Sequence, residues 1–269
     1  MRLGPDSARY WLAGDGVPVA RPFYLRWLLP WVCRNVERRW WAVWGCSWVL
    51  LWAGTFWFAT RHLPVLGAVT AATITVGFAG TWGPQVVRPV GVDLPAMALA
   101  VVAAAAAQEG LWWAAVPAVV VAATVKESAP VWAALWAWHP ILLVGLAAPL
   151  VRSVLARPAL DEVTAKPVLR EIHDHPVRTA LRARRWRDGW VMAAPWGVGL
   201  AALLNPSPQL VVAVVVAHLQ LLVATDTVRL LHTAVGPLVA VAAVQVIPPQ
   251  WWPVAVVAHV FWFRTPEVI

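Results

Sequence analysis

Charged residues are scarce in this sequence. Only 13% of its 269 residues are Asp, Glu, Lys or Arg, and 61% are hydrophobic, whereas soluble domains have about 25% charged and about 45–50% apolar residues. The 21 basic and 13 acidic side chains cannot supply the charged surface that a soluble globule of this length needs. The composition therefore excludes most soluble folds and predicts a chain that is solvated largely by lipid.

Cysteines and the fingerprints of soluble enzymes are also lacking. With only Cys33 and Cys46, a disulfide-stapled scaffold is excluded. The sequence has no GxxxxGK[ST] phosphate loop, no GxGxxG after a strand, no HExxH and no CxxC. The nearest pattern to a metal site is His173-Asp174-His175, which lacks further ligands at helical spacing. The sequence thus implies no cofactor and leaves a divalent metal open.

Positive charge is concentrated in two stretches. Seven arginines lie in residues 1–40, and nine Lys or Arg lie between Arg152 and Arg187. Basic clusters beside apolar spans usually set membrane topology or contact anionic headgroups, so we expect membrane lipids rather than nucleic acid as partners. The excess of Arg over Lys, with abundant Ala, Val, Trp and Pro, indicates a high-GC bacterium, or a phage whose product inserts into the host cell membrane.

Long uncharged runs predict an all-α, polytopic transmembrane bundle with about nine apolar segments. Residues 40–60 carry no charge, and about 20 apolar residues cross a bilayer core of about 30 Å. The sequence predicts a hairpin of two short helices over residues 94–125, with its turn at Gln108-Glu109-Gly110, and a fifth span over residues 129–151. We expect a basic N-terminal segment in 1–40, helices 1–5 in 41–151, a basic cytoplasmic loop with an amphipathic helix in 152–188, and helices 6–9 in 189–269.

The orientation of these segments is in conflict with the distribution of charge. If five segments separate the two basic regions and all of them cross, the regions face opposite sides, and one of them breaks the positive-inside rule. The central loop is the more compact basic stretch and so the better cytoplasmic anchor. The N-terminal tail then faces outward, unless a short helix is re-entrant.

Ionisable residues near the span ends are candidates for function, because charge in the membrane zone is costly. These residues are Arg88 with Asp93, Glu109, Lys126 with Glu127, and Asp226 with Arg229. Structural ion pairing or snorkelling is the alternative explanation for each of them.

Tryptophans recur every four residues along the first strong span, at Trp40, Trp44, Trp48 and Trp52. This spacing places them near one face of a helix, as a stripe that winds slowly around the helix axis. We expect the stripe to pack against other helices, with carbohydrate stacking as the alternative.

Three patches of the sequence resemble the GT-C type polytopic membrane glycosyltransferases and their uncharacterised bacterial or phage relatives. The first is DSARYWLAGDGVPVARPFYLRWLLPWV (6–32), which is similar to the first-loop signature of these enzymes. The second, in residues 92–135, has Asp-x-Pro, a small-residue helix, a polar turn, a second helix and then Lys-Glu-Ser. The third is DTVRLLHTAVGPLVAVAA (226–243), with an Arg before an apolar run and a Pro.

The resemblance implies an all-helical enzyme that transfers a sugar from a polyprenyl-phosphate donor to an envelope or protein acceptor. Such chemistry needs a carboxylate as general base, which Asp6 or Asp15 could supply, and cations that stabilise the departing phosphate. We take Asp6 as the base. The expected substrate-binding residues are Tyr10, Asp15, Arg26, Asp93, Lys126, Glu127 and Arg229. The alternatives are a non-catalytic membrane protein, such as an assembly partner or a phage factor in the host envelope, and a small transporter.

Overall fold

A computed structural model describes residues 5–19, 23–78, 81, 90–155, 193–219 and 227–261. In these residues every regular element is a helix and no strand is present, so the predicted all-α class is confirmed. The chain forms two compact units. Unit 1 comprises Met1–Leu51 and Gln85–Arg170, and unit 2 comprises Trp52–Pro84 and Glu171–Ile269.

The helices of unit 1 come from both of its chain segments. They are α1 (Pro5–Gly14), a 3-10 turn (Phe23–Leu25), α2 (Leu28–Cys33), the first part of α3 (Glu37–Ala59), α5 (Asp93–Gln108), α6 (Trp112–Val125), α7 (Ala129–Ala137), a 3-10 segment (Pro140–Leu146) and α8 (Ala147–Leu155). Unit 2 contains the end of α3, α4 (Val65–Gly77), a 3-10 segment (Ala194–Leu204), α9 (Pro208–Leu219), α10 (Thr227–Val246), a 3-10 turn (Pro249–Trp251) and α11 (Trp252–Phe261).

Helix α3 is the longest helix of the chain that the structure describes. Its 23 residues begin with Glu37, where an acidic side chain suits the positive end of the helix dipole, and it ends before Thr60-Arg61-His62. Among the described residues, α3 alone is long and apolar enough to cross a membrane, and the shorter apolar helical segments have 10–17 residues. The helix supports membrane association, whereas the predicted count of about nine crossings is not confirmed.

The hairpin of α5 and α6 turns where the sequence predicts it. Nearly all of α5 is buried, because its run of alanines lets neighbouring helices approach closely. Gly110 has φ 72, a left-handed conformation that glycine adopts without steric cost. At about 1.5 Å per residue, α5 rises about 24 Å, so Asp93 and Gln108 lie at opposite ends of the hairpin.

The predicted fifth span, residues 129–151, is interrupted in its middle and is not a single helix. Helix α7 ends at Ala137, Trp138 adopts φ 57 and ψ 35, and His139 is extended at φ −126 and ψ 102. The physical reason is Pro140, whose ring disfavours the helical conformation of the residue before it. Residues 129–155 therefore form a second hairpin of α7 and the segment 140–155.

Gly145 packs against two other elements of unit 1. A Cβ at Gly145 would lie 2.8 Å from Pro130 Cγ and 3.0 Å from the Val119 carbonyl oxygen. We expect Gly145→Ala to lower the free energy of unfolding by about 1–3 kcal/mol, because a packed core resists added volume. Gly45→Ala is the matched control, since no described atom lies within 4 Å of the added methyl group. Thermal unfolding in detergent should show a loss for the first variant only, and equal stability of both would contradict this packing.

Unit 2 has an aromatic core around Phe78. The ring centroid of Phe78 lies 5.6 Å from that of Trp196, 5.0 Å from that of His232 and 4.9 Å from that of His259. His232 is fully buried and His259 is 6% exposed. These rings join the end of α4 to the 3-10 segment Ala194–Leu204, α10 and α11, so they serve as core side chains of unit 2.

Candidate functional site: a buried charged cluster

Arg26 is the centre of a hydrogen-bonded group in unit 1. Its Nε and Nη2 donate to Glu127 Oε2 and Oε1 at 2.7 and 2.6 Å, and its Nη1 donates to the Tyr10 hydroxyl oxygen at 2.8 Å. The fork of the guanidinium thus holds both carboxylate oxygens, which is the strongest geometry available to this pair. The side chains are largely enclosed, with 14% of Arg26 and 29% of Glu127 exposed.

A second ion pair lies beside the first. Lys126 Nζ donates to Asp93 Oδ1, and only 5% of the Lys126 side chain and 8% of the Asp93 side chain are exposed. Lys126 and Glu127 are consecutive, so the two pairs are neighbours. We call Tyr10, Arg26, Asp93, Lys126 and Glu127 the charged cluster.

Helix ends bring the two residues of the buried pair together. Asp93 is the first residue of α5, and Lys126 directly follows the last residue of α6. The two helices are antiparallel, so the start of α5 and the end of α6 meet at one end of the hairpin. A carboxylate at a helix N-terminus and a cation at a helix C-terminus are each favoured by the helix dipole. The helix dipoles therefore stabilise the charges of Asp93 and Lys126 independently of the ion pair between them.

The remaining members come from the N-terminal segment. Tyr10 lies in α1, and Arg26 follows the 3-10 turn Phe23–Leu25. The Phe23 ring fixes this region, because its centroid lies 5.2 Å from that of Tyr10 and 5.8 Å from the Arg26 Cζ. The Ser7 hydroxyl of α1 also donates to the Val90 carbonyl oxygen at 2.7 Å, which ties α1 to the start of α5.

The surroundings shift the pKa values of the cluster. Burial by itself would raise the pKa of Glu127, but the hydrogen bonds and the charge of Arg26 outweigh it, so the pKa of Glu127 is lowered and the group stays a carboxylate at neutral pH. The pKa of Lys126 is lowered, because burial outweighs the attraction of Asp93 and the nearby Arg26 adds repulsion. Of the two cations, Lys126 therefore depends more on its carboxylate partner, Asp93, to stay charged.

An aromatic ring completes the environment of Lys126. Its Nζ lies 5.0 Å from the centroid of the Trp132 ring, within the range of a cation–π contact. Trp132 is 1% exposed and belongs to α7. Sequence reasoning did not nominate Trp132 or Phe23 for this site. The sequence feature that points to Trp132 is its place in the first turn of the helix that begins at Ala129, directly after Lys126-Glu127-Ser128.

Five of the predicted site residues, Tyr10, Arg26, Asp93, Lys126 and Glu127, come together in the charged cluster. Asp15 is exposed in the turn that follows α1, and Glu109 is exposed at the far end of the α5–α6 hairpin. Asp6 lies in α1 one turn before Tyr10, but its side chain is outside the described part, as is that of Arg229. Arg88, Asp226 and the pattern His173-Asp174-His175 also lie outside the described residues.

Two members of the predicted tryptophan stripe, Trp44 and Trp48, contact each other through their rings. The Trp44 and Trp48 centroids are 6.0 Å apart and their planes meet at 66°, while Trp40 is fully buried and its Nε1 donates to the Arg34 carbonyl oxygen at 3.0 Å. Trp52 Nε1 donates to the Thr73 hydroxyl oxygen of α4 at 3.2 Å, so this member of the stripe contacts another helix, as the expected packing role requires.

Among the described residues, no group of three or more His, Cys, Asp or Glu side chains could hold a metal ion. Comparison of the chain with protein-family models, with curated proteins and with solved structures finds no match. The charged cluster therefore provides the main structural basis for a functional proposal.

Proposed function

We propose that this chain is a multi-pass membrane protein that binds the phosphate of a polyprenyl-phosphate sugar at the charged cluster and transfers the sugar to an envelope or protein acceptor. One observation carries the proposal. Residues from two sequence patches, 6–32 and 92–135, meet in one buried cluster that contains an arginine fork, a lysine and a phenol.

The chemistry of the cluster suits a phosphate group. A guanidinium binds two oxygens of a phosphate as it binds two oxygens of a carboxylate, and a nearby ammonium adds a second positive charge. The carboxylates of Glu127 and Asp93 neutralise Arg26 and Lys126, so neither buried cation lacks a counter-charge. An arriving phosphate would exchange with one of these carboxylates and gain the same donors.

The proposed transfer also requires a base near the cluster. In the proposed mechanism the Asp6 carboxylate removes the proton of the acceptor hydroxyl, the acceptor oxygen bonds to the anomeric carbon, and the bond to the phosphate oxygen breaks. Arg26 and Lys126 stabilise the negative charge that develops on the departing polyprenyl phosphate. The position of Asp6 one turn before Tyr10 in α1 supports this assignment, because Tyr10 itself contacts Arg26.

Transfer assays on membranes that contain the full chain test this function. We expect wild-type membranes to transfer labelled sugar from a polyprenyl-phosphate donor and Asp6→Asn to abolish transfer. Arg26→Lys should reduce transfer at least about tenfold, because lysine keeps the charge and loses the fork. Arg38→Lys, an exposed change in α3, is the matched control and should retain full transfer.

Protein amount and thermal stability in detergent must be measured for each variant, so that lost activity is not confused with lost folding. A folded Arg26→Lys or Asp6→Asn variant with full transfer would contradict the assigned roles. A wild-type chain that transfers no sugar from any polyprenyl-phosphate donor would overturn the enzyme proposal and favour the non-catalytic alternative, in which the ion pairs serve the fold alone.

A further inference from the structure

The end of unit 1 that carries the charged cluster also carries a connected set of tryptophans and arginines. The Arg152 Cζ lies 6.0 Å from the Trp27 ring centroid, and the Trp27 and Trp31 centroids are 6.4 Å apart. Arg152 Nε also donates to the Tyr24 carbonyl oxygen at 3.5 Å. Arg152 opens the central basic stretch of the sequence, whereas Tyr24 and Trp27 belong to the N-terminal one. Arg152, the first residue of the central basic stretch, therefore contacts the N-terminal segment within unit 1.

The same surface continues to the start of α3. Arg39 Nη1 donates to the Val32 carbonyl oxygen at 3.1 Å, and Arg34 and Arg38 are exposed on either side of this contact. Trp31 is 62% exposed and Trp27 is 37% exposed. We call Trp27, Trp31, Arg34, Arg38, Arg39 and Arg152 the basic collar.

The turns at the other end of the two hairpins of unit 1 carry no positive charge. Helix α3 by itself rises about 35 Å, enough to separate its two ends across a bilayer core, and Arg61 and His62 follow its C-terminal end. The α5–α6 turn at 108–111 and the α7 turn at 138–139 contain no Lys or Arg. The interruption at Trp138 and His139 returns the chain to Arg152, so the start of the central basic stretch lies at the same end of unit 1 as Tyr24 and Trp27.

We propose that the basic collar is the contact surface of this protein for anionic phospholipid headgroups of the cytoplasmic leaflet. Arginines near span ends are retained on the cytoplasmic side, where the leaflet carries negative charge that attracts them. Exposed tryptophans beside them match the aromatic belt at headgroup level. The charged cluster then lies toward the cytoplasmic side of the membrane, whereas simple counting of spans predicts an N-terminal tail that faces outward.

The proposal rests on the membrane location in the proposed function, but it does not require sugar transfer. Single cysteines in a background that lacks Cys33 and Cys46 test the orientation in intact cells. We expect a membrane-impermeant maleimide to label Glu109→Cys before permeabilisation and Asp15→Cys only after it. Labelling of Asp15→Cys in intact cells contradicts this proposal alone, whereas absence of the chain from the membrane fraction contradicts it together with the proposed function.

The lipid contact is tested with the full chain in nanodiscs of phosphatidylcholine, with or without phosphatidylglycerol. We expect phosphatidylglycerol to raise the melting temperature of the wild type, and Arg38→Gln/Arg39→Gln to remove most of this increase. Arg61→Gln, at the other end of α3, is the matched control and should keep the increase. Equal stabilisation of the collar variant and the control by phosphatidylglycerol would overturn the proposal.

Discussion

Asp93→Asn is expected to lower the free energy of unfolding by about 3–5 kcal/mol, because it leaves a buried ammonium without its counter-charge. The Lys126 side chain is only 5% exposed, so water cannot replace the lost carboxylate. The nearby Arg26 adds repulsion to the unpaired cation. Unfolding of the purified chain in detergent, followed by circular dichroism, measures the loss.

The double variant Asp93→Asn/Lys126→Met gives the decisive comparison. Removing both charges removes the need for pairing, and buried ion pairs can often be replaced by apolar groups of similar volume without loss of stability. We expect the double variant to be more stable than either single variant. Asp15→Asn, which neutralises an exposed carboxylate in the turn after α1, serves as the control and should change stability by less than about 0.5 kcal/mol. Additive losses in the double variant would contradict a coupled pair.

This comparison also bears on function. If the double variant folds stably but no longer binds the polyprenyl-phosphate donor or transfers its sugar, the ion pair is retained for its chemistry rather than for stability. If it folds and functions as the wild type does, Asp93 and Lys126 serve neither purpose. The stability of the pair and its role in binding a phosphate are therefore separable by one set of variants.

The fold class could be predicted from the sequence because it follows from composition and from the length of uncharged runs. The α5–α6 hairpin could also be predicted, since Gln108-Glu109-Gly110 is the one polar interruption in a long apolar stretch. The break in the fifth span was missed, although Pro140 signals it, because the apolar character of 129–151 continues across the break. Hydropathy measures polarity and is insensitive to a change in backbone direction.

The charged cluster was partly predictable for a different reason. The scarcity of charge drew attention to Asp93, Lys126 and Glu127, and the likeness of 6–32 to a family signature added Tyr10 and Arg26. The pairing itself could not be predicted, because it depends on how α1 and the turn Phe23–Leu25 approach the end of the α5–α6 hairpin. The same limit applies to the basic collar, since the contact of Arg152 with Trp27 depends on the return of the chain at Pro140.

Trp132→Ala should have the other large effect, a loss of about 3–5 kcal/mol that is typical of truncating a buried tryptophan. The ring is 1% exposed, stacks on Trp136 at 6.4 Å between centroids, and faces the Lys126 ammonium. The variant thus loses packing and a cation–π contact at once. Denaturant unfolding in detergent measures this loss.

Trp132→Phe separates the two contributions. Phenylalanine keeps an aromatic face for Lys126 and most of the apolar contact, and it removes the indole Nε1, which has no hydrogen-bond partner in the described part of the chain. We therefore expect a much smaller loss than for Trp132→Ala. In a Lys126→Met background the cost of Trp132→Ala should fall, because the cation–π contact is already gone. An unchanged cost there would show that Trp132 stabilises unit 1 through packing alone, and that Lys126 is held in place by Asp93 without help from the ring.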